Sequence, residues 1–302
     1  MPGIERKMMR SHGVQPLGSL CRRAAEASGQ VAIAIAVRST LLLGLAGVSW
    51  GGIPPLPPGE FLWAQAVAAP LTRQEVAERL NLVPVFAIVS QNGTPVVANI
   101  EREGRTIQVA SFWLDRNQAQ QALEQVKAKN PEIGKQAQVV PIPLGYAYEK
   151  SEEERAKNSN LYFEVVPRPS DVEAAKQVLK ETGQEVPPEA IGVPLFYGRS
   201  SEGLLTIEQE GQEVVPFFFD RNDLKGALER AAAQNPEVVG KTQIEVTSLA
   251  IVVERMLAPD AQEDVQKIAF IPPRASLEYV QSWIRAATPQ PNSSATPQPQ
   301  QR

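Results

Sequence analysis

The chain has 302 residues, of which 43% are hydrophobic, with 30 basic and 34 acidic side chains. These values are typical of a globular protein with room for two domains, and they exclude a peptide or a wholly disordered chain. Because its single histidine (His12) and single cysteine (Cys21) lie near the start, the body of the chain lacks the side chains for disulfides, Cys/His zinc sites, haem ligation and histidine or thiolate catalysis.

Residues 1–69 have the features of a targeting segment. They hold six basic and three acidic residues, an apolar stretch from Val31 to Trp50, and an alanine-rich sequence, Ala64–Ala69, with small-x-small cleavage sites. An uncleaved membrane anchor is the alternative, but Arg38 within the apolar stretch costs roughly 2.5–3.5 kcal/mol on insertion. We expect export with cleavage, which leaves 24 basic and 31 acidic side chains and disfavours nucleic acid as a partner.

The rest of the chain contains an internal duplication. Val83-Pro84-Val85-Phe86 recurs as Val193-Pro194-Leu195-Phe196, and Phe112-Trp113-Leu114-Asp115-Arg116-Asn117 recurs as Phe217-Phe218-Phe219-Asp220-Arg221-Asn222. An Asn-Pro-Glu turn follows at 130–132 and at 235–237. The sequence therefore predicts a first α/β repeat over 70–189, a second over 190–286, and a polar, disordered tail over 287–302.

The first repeat predicts strands at 83–89 and 106–113, with Asn92-Gly93 closing a hairpin towards Val96-Val97. An amphipathic helix follows, with its apolar stripe at 119, 122, 123 and 126, a capping-box-like start from Asp115 to Gln118, and Pro131 at its end. Strands at 137–142 and 161–166 come next. The last helix begins at Ser170 and ends at Gly183.

The second repeat predicts strands at 193–197, 204–208 and 213–219, then a helix with its apolar stripe at 224, 227, 228 and 231. A strand at 243–246 precedes a short helix over 249–257 that Ser248 caps, and a strand at 268–271 precedes a helix from Ser276. The predicted fold class is α/β, of the α+β type. It comprises two pseudo-symmetric repeats, each with antiparallel strands and amphipathic helices packed on the sheet.

Two motifs resemble catalytic or ligand sites. The duplicated Asp115 and Asp220 are candidates for a carboxylate pair, but each directly precedes an amphipathic helix, where an N-cap explains it. Gly240-Lys241-Thr242 resembles the end of a phosphate-binding loop, but Asn235 occupies the position where that loop requires glycine. We expect no enzyme activity, no catalytic residue, no metal and no cofactor.

Large apolar side chains are the better candidates for a functional surface. In the triplets Phe112-Trp113-Leu114 and Phe217-Phe218-Phe219, strand alternation places the middle residue opposite its neighbours. One face must be core, and the other is either covered by helices or open as an apolar groove. The candidate polypeptide-binding residues are Phe112, Trp113, Phe217, Phe218, Phe219, Tyr146 and Tyr197.

The duplicated motifs, together with Leu144-Gly145-Tyr146 and Leu249-Ala250-Ile251, resemble the family of the 22-kDa subunit of the translocon at the inner envelope membrane of chloroplasts, which has cyanobacterial relatives. The resemblance covers about 71–286. It implies a non-enzymatic protein of two α/β halves whose apolar pockets hold polypeptides. It also implies a location outside the cytoplasm, in the periplasm or thylakoid lumen, with the chloroplast intermembrane space as the alternative.

These observations together predict a chaperone-like protein for protein transport or outer-membrane biogenesis. Its partners are unfolded or transiting polypeptides, with translocon or outer-membrane assembly proteins and peripheral membrane association as further expectations. The alternative function is a structural adaptor that joins translocon or envelope complexes through one specific interface. A chaperone binds unrelated clients, whereas an adaptor binds one partner.

The targeting segment generates the first testable prediction. Mass spectrometry of the protein from its native host should find an N-terminus near Ala69 to Thr72, in a soluble extracytoplasmic fraction, because signal peptidases cleave after small residues. Intact Met1 in integral membranes would instead support the anchor.

Overall fold

The computed structural model describes residues 70–102, 104–157, 160–184, 191–201, 203–209, 211–233, 236, 240–260 and 263–287. The predicted targeting segment, and the predicted tail beyond residue 287, lie outside these ranges. The described residues form two compact units, the first comprising residues 77–168 and 272–287 and the second residues 70–76 and 169–271. Within the described ranges, no helix is long and apolar enough to cross a membrane.

The described residues form the following strands and helices. The strands are β1 (Pro84–Ser90), β2 (Ala98–Arg102), β3 (Arg105–Trp113), β4 (Ala137–Pro143), β5 (Leu161–Val166), β6 (Pro194–Ser200), β7 (Gly203–Leu204), β8 (Ile207–Gln209), β9 (Gln212–Phe218), β10 (Gln243–Ser248) and β11 (Ile268–Ile271). The helices are α1 (Arg73–Leu80), α2 (Arg116–Lys129), α3 (Pro131–Gln136), α4 (Leu144–Ala156), α5 (Pro169–Thr182), α6 (Arg221–Ala232), α7 (Leu249–Leu257) and α8 (Arg274–Ala287), with a 3₁₀ turn at Glu263–Lys267.

The sheet of the first unit is built around β1 and β3. β1 is antiparallel to β3 and β4, β2 forms a hairpin with β3, and β5 is parallel to β3. The predicted turn at Asn92-Gly93 brings the chain back against β1, where Val89 and Pro95 form an antiparallel bridge and Val96 N donates to the carbonyl oxygen of Ile88 at 2.9 Å. The pairing does not extend into a strand at Val96-Val97, and the longer hairpin is that of β2 and β3.

The sheet of the second unit has corresponding pairings. β6 is antiparallel to β9 and β10, β11 is parallel to β9, and the short strands β7 and β8 pair with β6 and β9. The mixture of antiparallel strands and amphipathic helices confirms the predicted α/β class. The parallel pairs β3–β5 and β9–β11 each require a crossover, and helices lie in the connections.

The last helix of each predicted repeat packs in a different unit from its own repeat. α5 buries Ala175, Val178 and Leu179 in the core of the second unit, together with Phe196 and Phe218. α8 contributes to the first unit, where the ring of Tyr279 lies 5.5 Å from that of Phe86. The boundaries of the two units therefore differ from those of the predicted repeats, 70–189 and 190–286.

The predicted N-caps of three helices form. Asp115 accepts a hydrogen bond from Gln118 N at 2.9 Å, Asp220 from Asn222 N at 2.7 Å, and Ser248 from Ile251 N at 3.2 Å. The capping box at Asp115 is incomplete, because the buried Gln118 Oε1 has no hydrogen-bond partner.

The predicted starts at Ser170 and Ser276 are wrong. α5 begins at Pro169, whose ring suits a first helical position. α8 begins at Arg274, and Ser276 lies inside it with its Oγ donating to the carbonyl oxygen of Leu114 at 3.1 Å. The buried Ser276 hydroxyl therefore connects α8 to the chain that follows β3.

Replacing either capping aspartate tests this account. Asp115→Ala and Asp220→Ala should each lower the free energy of unfolding by about 0.5–2 kcal/mol, and the serine variants by much less, because a hydroxyl can also cap. Urea denaturation measures this. An alanine variant that loses function with unchanged stability would contradict the capping role.

Candidate functional site

The Asp-Arg-Asn motif, the first candidate for a catalytic site, contacts a second helix in each unit through its arginine. Arg221 donates to Gln177 Oε1 at 3.1 Å and to Glu181 Oε2 at 2.8 Å, both on α5. In the first unit, the guanidinium of Arg116 lies 4.6 Å from the ring centroid of Tyr279 on α8. The aspartates cap and the arginines contact the helix that covers the sheet, so both charged residues of the motif have a structural explanation.

The two faces of the second sheet have different surroundings. Phe218, Phe196 and Val246 lie in one core cluster with side chains of α5 and α6. On the opposite face, Phe219 is fully buried with its ring 6.3 Å from that of Phe270, and Phe217 packs against Tyr197 at 5.2 Å. The predicted alternation of the phenylalanine triplet is therefore present, but all three side chains are buried.

Beside Phe217, the second face opens into a cleft of about 510 Å³, which we call the α7 cleft. Tyr197 and Phe217 contribute to its lining from the sheet, and Ile251 and Val252 from α7. Val252 is buried, but Ile251 is 47% exposed. The α7 cleft therefore combines an aromatic floor with an exposed aliphatic side chain.

A shared carboxylate holds the floor of the α7 cleft. Glu245 Oε2 accepts a hydrogen bond from the Tyr197 hydroxyl at 2.6 Å and another from Arg199 Nε at 3.0 Å. Burial raises the pKa of Tyr197 to about 12, and the hydrogen bond to Glu245 acts in the same direction. The phenol is therefore neutral at physiological pH, its hydroxyl donates to a fixed acceptor, and its ring is oriented for apolar contact.

The rim of the α7 cleft carries both signs of charge. Arg255 contributes from α7, and Asp260 and Asp264 from the segment between α7 and β11. Among the described residues, no three His, Cys, Asp or Glu side chains come together as ligands for a metal ion. The rim therefore provides polar contacts around an apolar floor.

The first unit places its triplet differently. Phe112 is 1% exposed and stacks on Phe163 with ring centroids 5.7 Å apart. Leu114 is also buried, whereas Trp113 is partly exposed and pairs in register with Phe86. Tyr146 is partly buried on α4, with the Lys150 ammonium 5.8 Å from its ring centroid.

The seven predicted residues thus fall into three groups. Phe112, Phe218 and Phe219 are buried, so at these three positions the structure has the covered alternative and not the open groove. Tyr197 and Phe217 line the α7 cleft. Trp113 and Tyr146 are partly exposed in the first unit. Polypeptide binding by the last four residues stays a prediction.

Sequence reasoning missed Ile251, although a signal for it was present. The duplicated segments Leu144–Glu149 and Leu249–Glu254 align Ile251 with Tyr146, which was selected. The side chains of Arg199 and Glu245 were also missed. Their contact depends on the register of β6 and β10, which no local pattern reveals.

Comparison with known proteins identifies a matching family and similar solved structures. The sequence matches the model of the Tic22-like family over residues 60–282. Anabaena Tic22, a protein-transport protein, is 23% identical with a TM-score of 0.60, over 74% of this chain and 100% of its own. Tic22 from Plasmodium falciparum is 24% identical with a TM-score of 0.56, over 71% of this chain and 99% of its own. No curated protein matches the chain.

The raised pKa of Tyr197 generates a prediction for alkaline pH. Because its pKa is about 12 in the folded protein and the ordinary value is 10, the unfolded state loses its proton first, and the free energy of unfolding should fall as pH rises from 10 to 12. Tyr197→Phe should make this fall less steep. Urea denaturation across this range measures both slopes. Equal slopes for wild type and Tyr197→Phe would contradict the assignment.

Proposed function

This chain belongs to the Tic22-like family, and from that membership we propose that it acts in protein transport by binding apolar segments of extended polypeptides in the α7 cleft. It acts as a chaperone-like protein without enzymatic activity. Its clients are unfolded or transiting polypeptides outside the cytoplasm, in the periplasm or thylakoid lumen. The Anabaena relative is itself a protein-transport protein.

The observation that carries the proposal is the exposure of Ile251 above the Tyr197–Phe217 floor. Ile251 is 47% exposed, and a client side chain placed on it would remove apolar surface from water. Such burial stabilises by about 25 cal/mol per Å². Because the α7 cleft has about 510 Å³, it has the size of a ligand site, which is about 300–1,000 Å³.

The mixed charges of the rim suit a binder of varied clients. An apolar centre within a polar rim is the usual anatomy of a protein interface. Arg255, Asp260 and Asp264 present both signs, so the rim neither attracts nor repels one class of charged client. Discrimination between clients then depends mainly on the apolar side chains that reach the floor of the α7 cleft.

In this proposal the client is released because the α7 cleft binds it with modest affinity. The sequence carries no complete phosphate-binding loop, since the position required for glycine is Asn235, and the proposal uses no nucleotide. A client leaves when it folds or passes to an assembly protein of the translocon or the outer membrane. Binding through limited apolar area permits this exchange without an energy source.

The test compares two exposed isoleucines. Ile251→Ser should weaken binding of an unfolded model protein by about 1 kcal/mol, or about fivefold in Kd, because it removes apolar surface from the α7 cleft. Ile133→Ser is the matched control, since Ile133 is 45% exposed and lies on α3. Both variants should unfold within about 0.5 kcal/mol of wild type. Client binding and suppression of aggregation are the measurements.

Two results would overturn the proposal. Equal effects of the two variants would remove the α7 cleft from client binding. Failure of the wild-type protein to bind several unrelated unfolded proteins, with tight binding to one envelope component, would favour the structural adaptor.

A further inference from the structure

The floor of the α7 cleft differs in chemistry from the corresponding part of the first unit. The duplication aligns Tyr197 with Ala87 and Glu245 with Val140, and the two members of each pair lie directly opposite each other on neighbouring strands. Ala87 is only 1% exposed. Because the first unit fills this position with an apolar pair, the fold itself does not require the hydrogen-bonded pair of the second unit.

Two further polar side chains replace apolar ones on the same face of the sheet. Arg199 aligns with Val89, which is 6% exposed, and Thr247 aligns with Ile142, which is 4% exposed. Both Arg199 and Thr247 line the α7 cleft, and the Arg199 side chain is 49% exposed. Polar groups placed among apolar ones are unfavourable unless they form hydrogen bonds. The polar positions of the second unit therefore indicate a role in binding rather than in folding.

These two residues keep hydrogen-bonding groups that the protein itself does not use. Arg199 donates from Nε to Glu245, and among the described residues its two terminal amino groups make no hydrogen bond. Within the same described ranges, the Thr247 hydroxyl has no hydrogen-bond partner either. A guanidinium carries five N–H donors, and a hydroxyl both donates and accepts. The α7 cleft therefore offers donors from Arg199 and a donor or acceptor from Thr247.

The spacing of these two residues corresponds to an extended peptide. Arg199 lies opposite Gln243 in the pairing of β6 with β10, so Thr247 is four residues further along the sheet. At a rise of about 3.4 Å per residue, this separation is about 14 Å. An extended client segment of about four residues spans it, and each of its peptide groups carries an N–H donor and a carbonyl acceptor. The ring of Tyr197 lies on the floor between the two positions.

We propose that the α7 cleft binds the backbone of an extended client, with Arg199 donating to a client carbonyl oxygen and Thr247 bonding a second peptide group about four residues away. Glu245 positions Arg199 through the 3.0 Å hydrogen bond from Nε. The aromatic floor and Ile251 contact the apolar side chains of the same segment. Because all clients share one backbone chemistry, these hydrogen bonds add affinity without selecting a sequence. The inference rests on the proposed function, since the ligand is the client.

A capped apolar hexapeptide without charged side chains tests these backbone contacts. Its ester analogue keeps the side chains, but it lacks the central N–H groups and its carbonyl oxygens are weaker acceptors. The full chain should bind the amide peptide about tenfold more tightly than the ester, since one hydrogen bond contributes a factor of about two to twelve. In the double variant Arg199→Met and Thr247→Val, this ratio should fall about fivefold or more. NMR titration measures both dissociation constants.

Two controls separate lost contacts from lost structure. The ratio compares two ligands of one variant, so a smaller folded fraction leaves it unchanged. Arg155→Met is the matched control, because Arg155 is 75% exposed and pairs with Glu152 but lies on α4, and its ratio should equal that of wild type. An unchanged ratio in the double variant, or no binding of the amide peptide to wild type, would overturn the inference. A loss confined to a hexapeptide with acidic side chains would assign Arg199 to carboxylates and would also overturn it.

Binding of unfolded proteins distinguishes this inference from the proposed function. If Ile251→Ser weakens client binding while the amide-to-ester ratio does not depend on Arg199 and Thr247, the inference fails and the proposed function stands. If the ratio depends on these two residues but the protein neither binds unfolded proteins nor suppresses their aggregation, the backbone contacts stand and the proposed function fails.

Discussion

Alternation along β9 decides which side chains of the second unit lie in its core and which line the α7 cleft. Phe218 points towards α5 and α6, where it joins Phe196 and Val246, because neighbouring strands hold these residues on one face. Phe217 points to the other face and packs on Tyr197. A register shift of one residue would exchange the two populations, so the core and the α7 cleft depend on the same pairing.

Covering the helical face of each sheet is the second requirement. The apolar face of a sheet must be covered by the apolar side of other elements. In the second unit α5 covers it with Ala175, Val178 and Leu179. Arg221 adds hydrogen bonds to α5, and in the first unit Arg116 stacks on Tyr279 of α8. The duplicated Asp-Arg-Asn motif thus begins one helix and holds another. This explains its recurrence without catalysis.

The α7 cleft has a floor whose side chains are held by hydrogen bonds and a wall that carries an exposed aliphatic side chain. Glu245 holds both Tyr197 and Arg199, so the aromatic ring is already oriented before a ligand arrives and less conformational entropy is lost on binding. Ile251 remains exposed because Leu249, Val252 and Met256 bury the opposite side of α7. These features suit reversible contact with apolar segments, which the proposed transport function requires.

Local patterns determined much of the secondary structure. The strands at 161–166 and 268–271, the helix at 249–257 and the caps Asp115, Asp220 and Ser248 follow from periodicity and from side chains that bond the backbone nearby. The duplication supported these predictions, because two copies agreed. Family membership was also visible in the ordered motifs, and the match over residues 60–282 confirms it.

Tertiary structure decided which of the candidate residues come together in the site. Nothing in the sequence indicates that α5 and α8 pack outside the units of their own repeats, since the same amphipathic stripe fits either sheet. Strand alternation correctly separated Phe217 from Phe218, but it did not reveal that Phe112, Phe218 and Phe219 are all covered, or that Ile251 stays exposed. Side-chain exposure depends on which distant elements pack on a face, and the contact of Glu245 with Tyr197 joins residues 48 positions apart. Local sequence determines the direction of a side chain, whereas long-range packing determines what it meets.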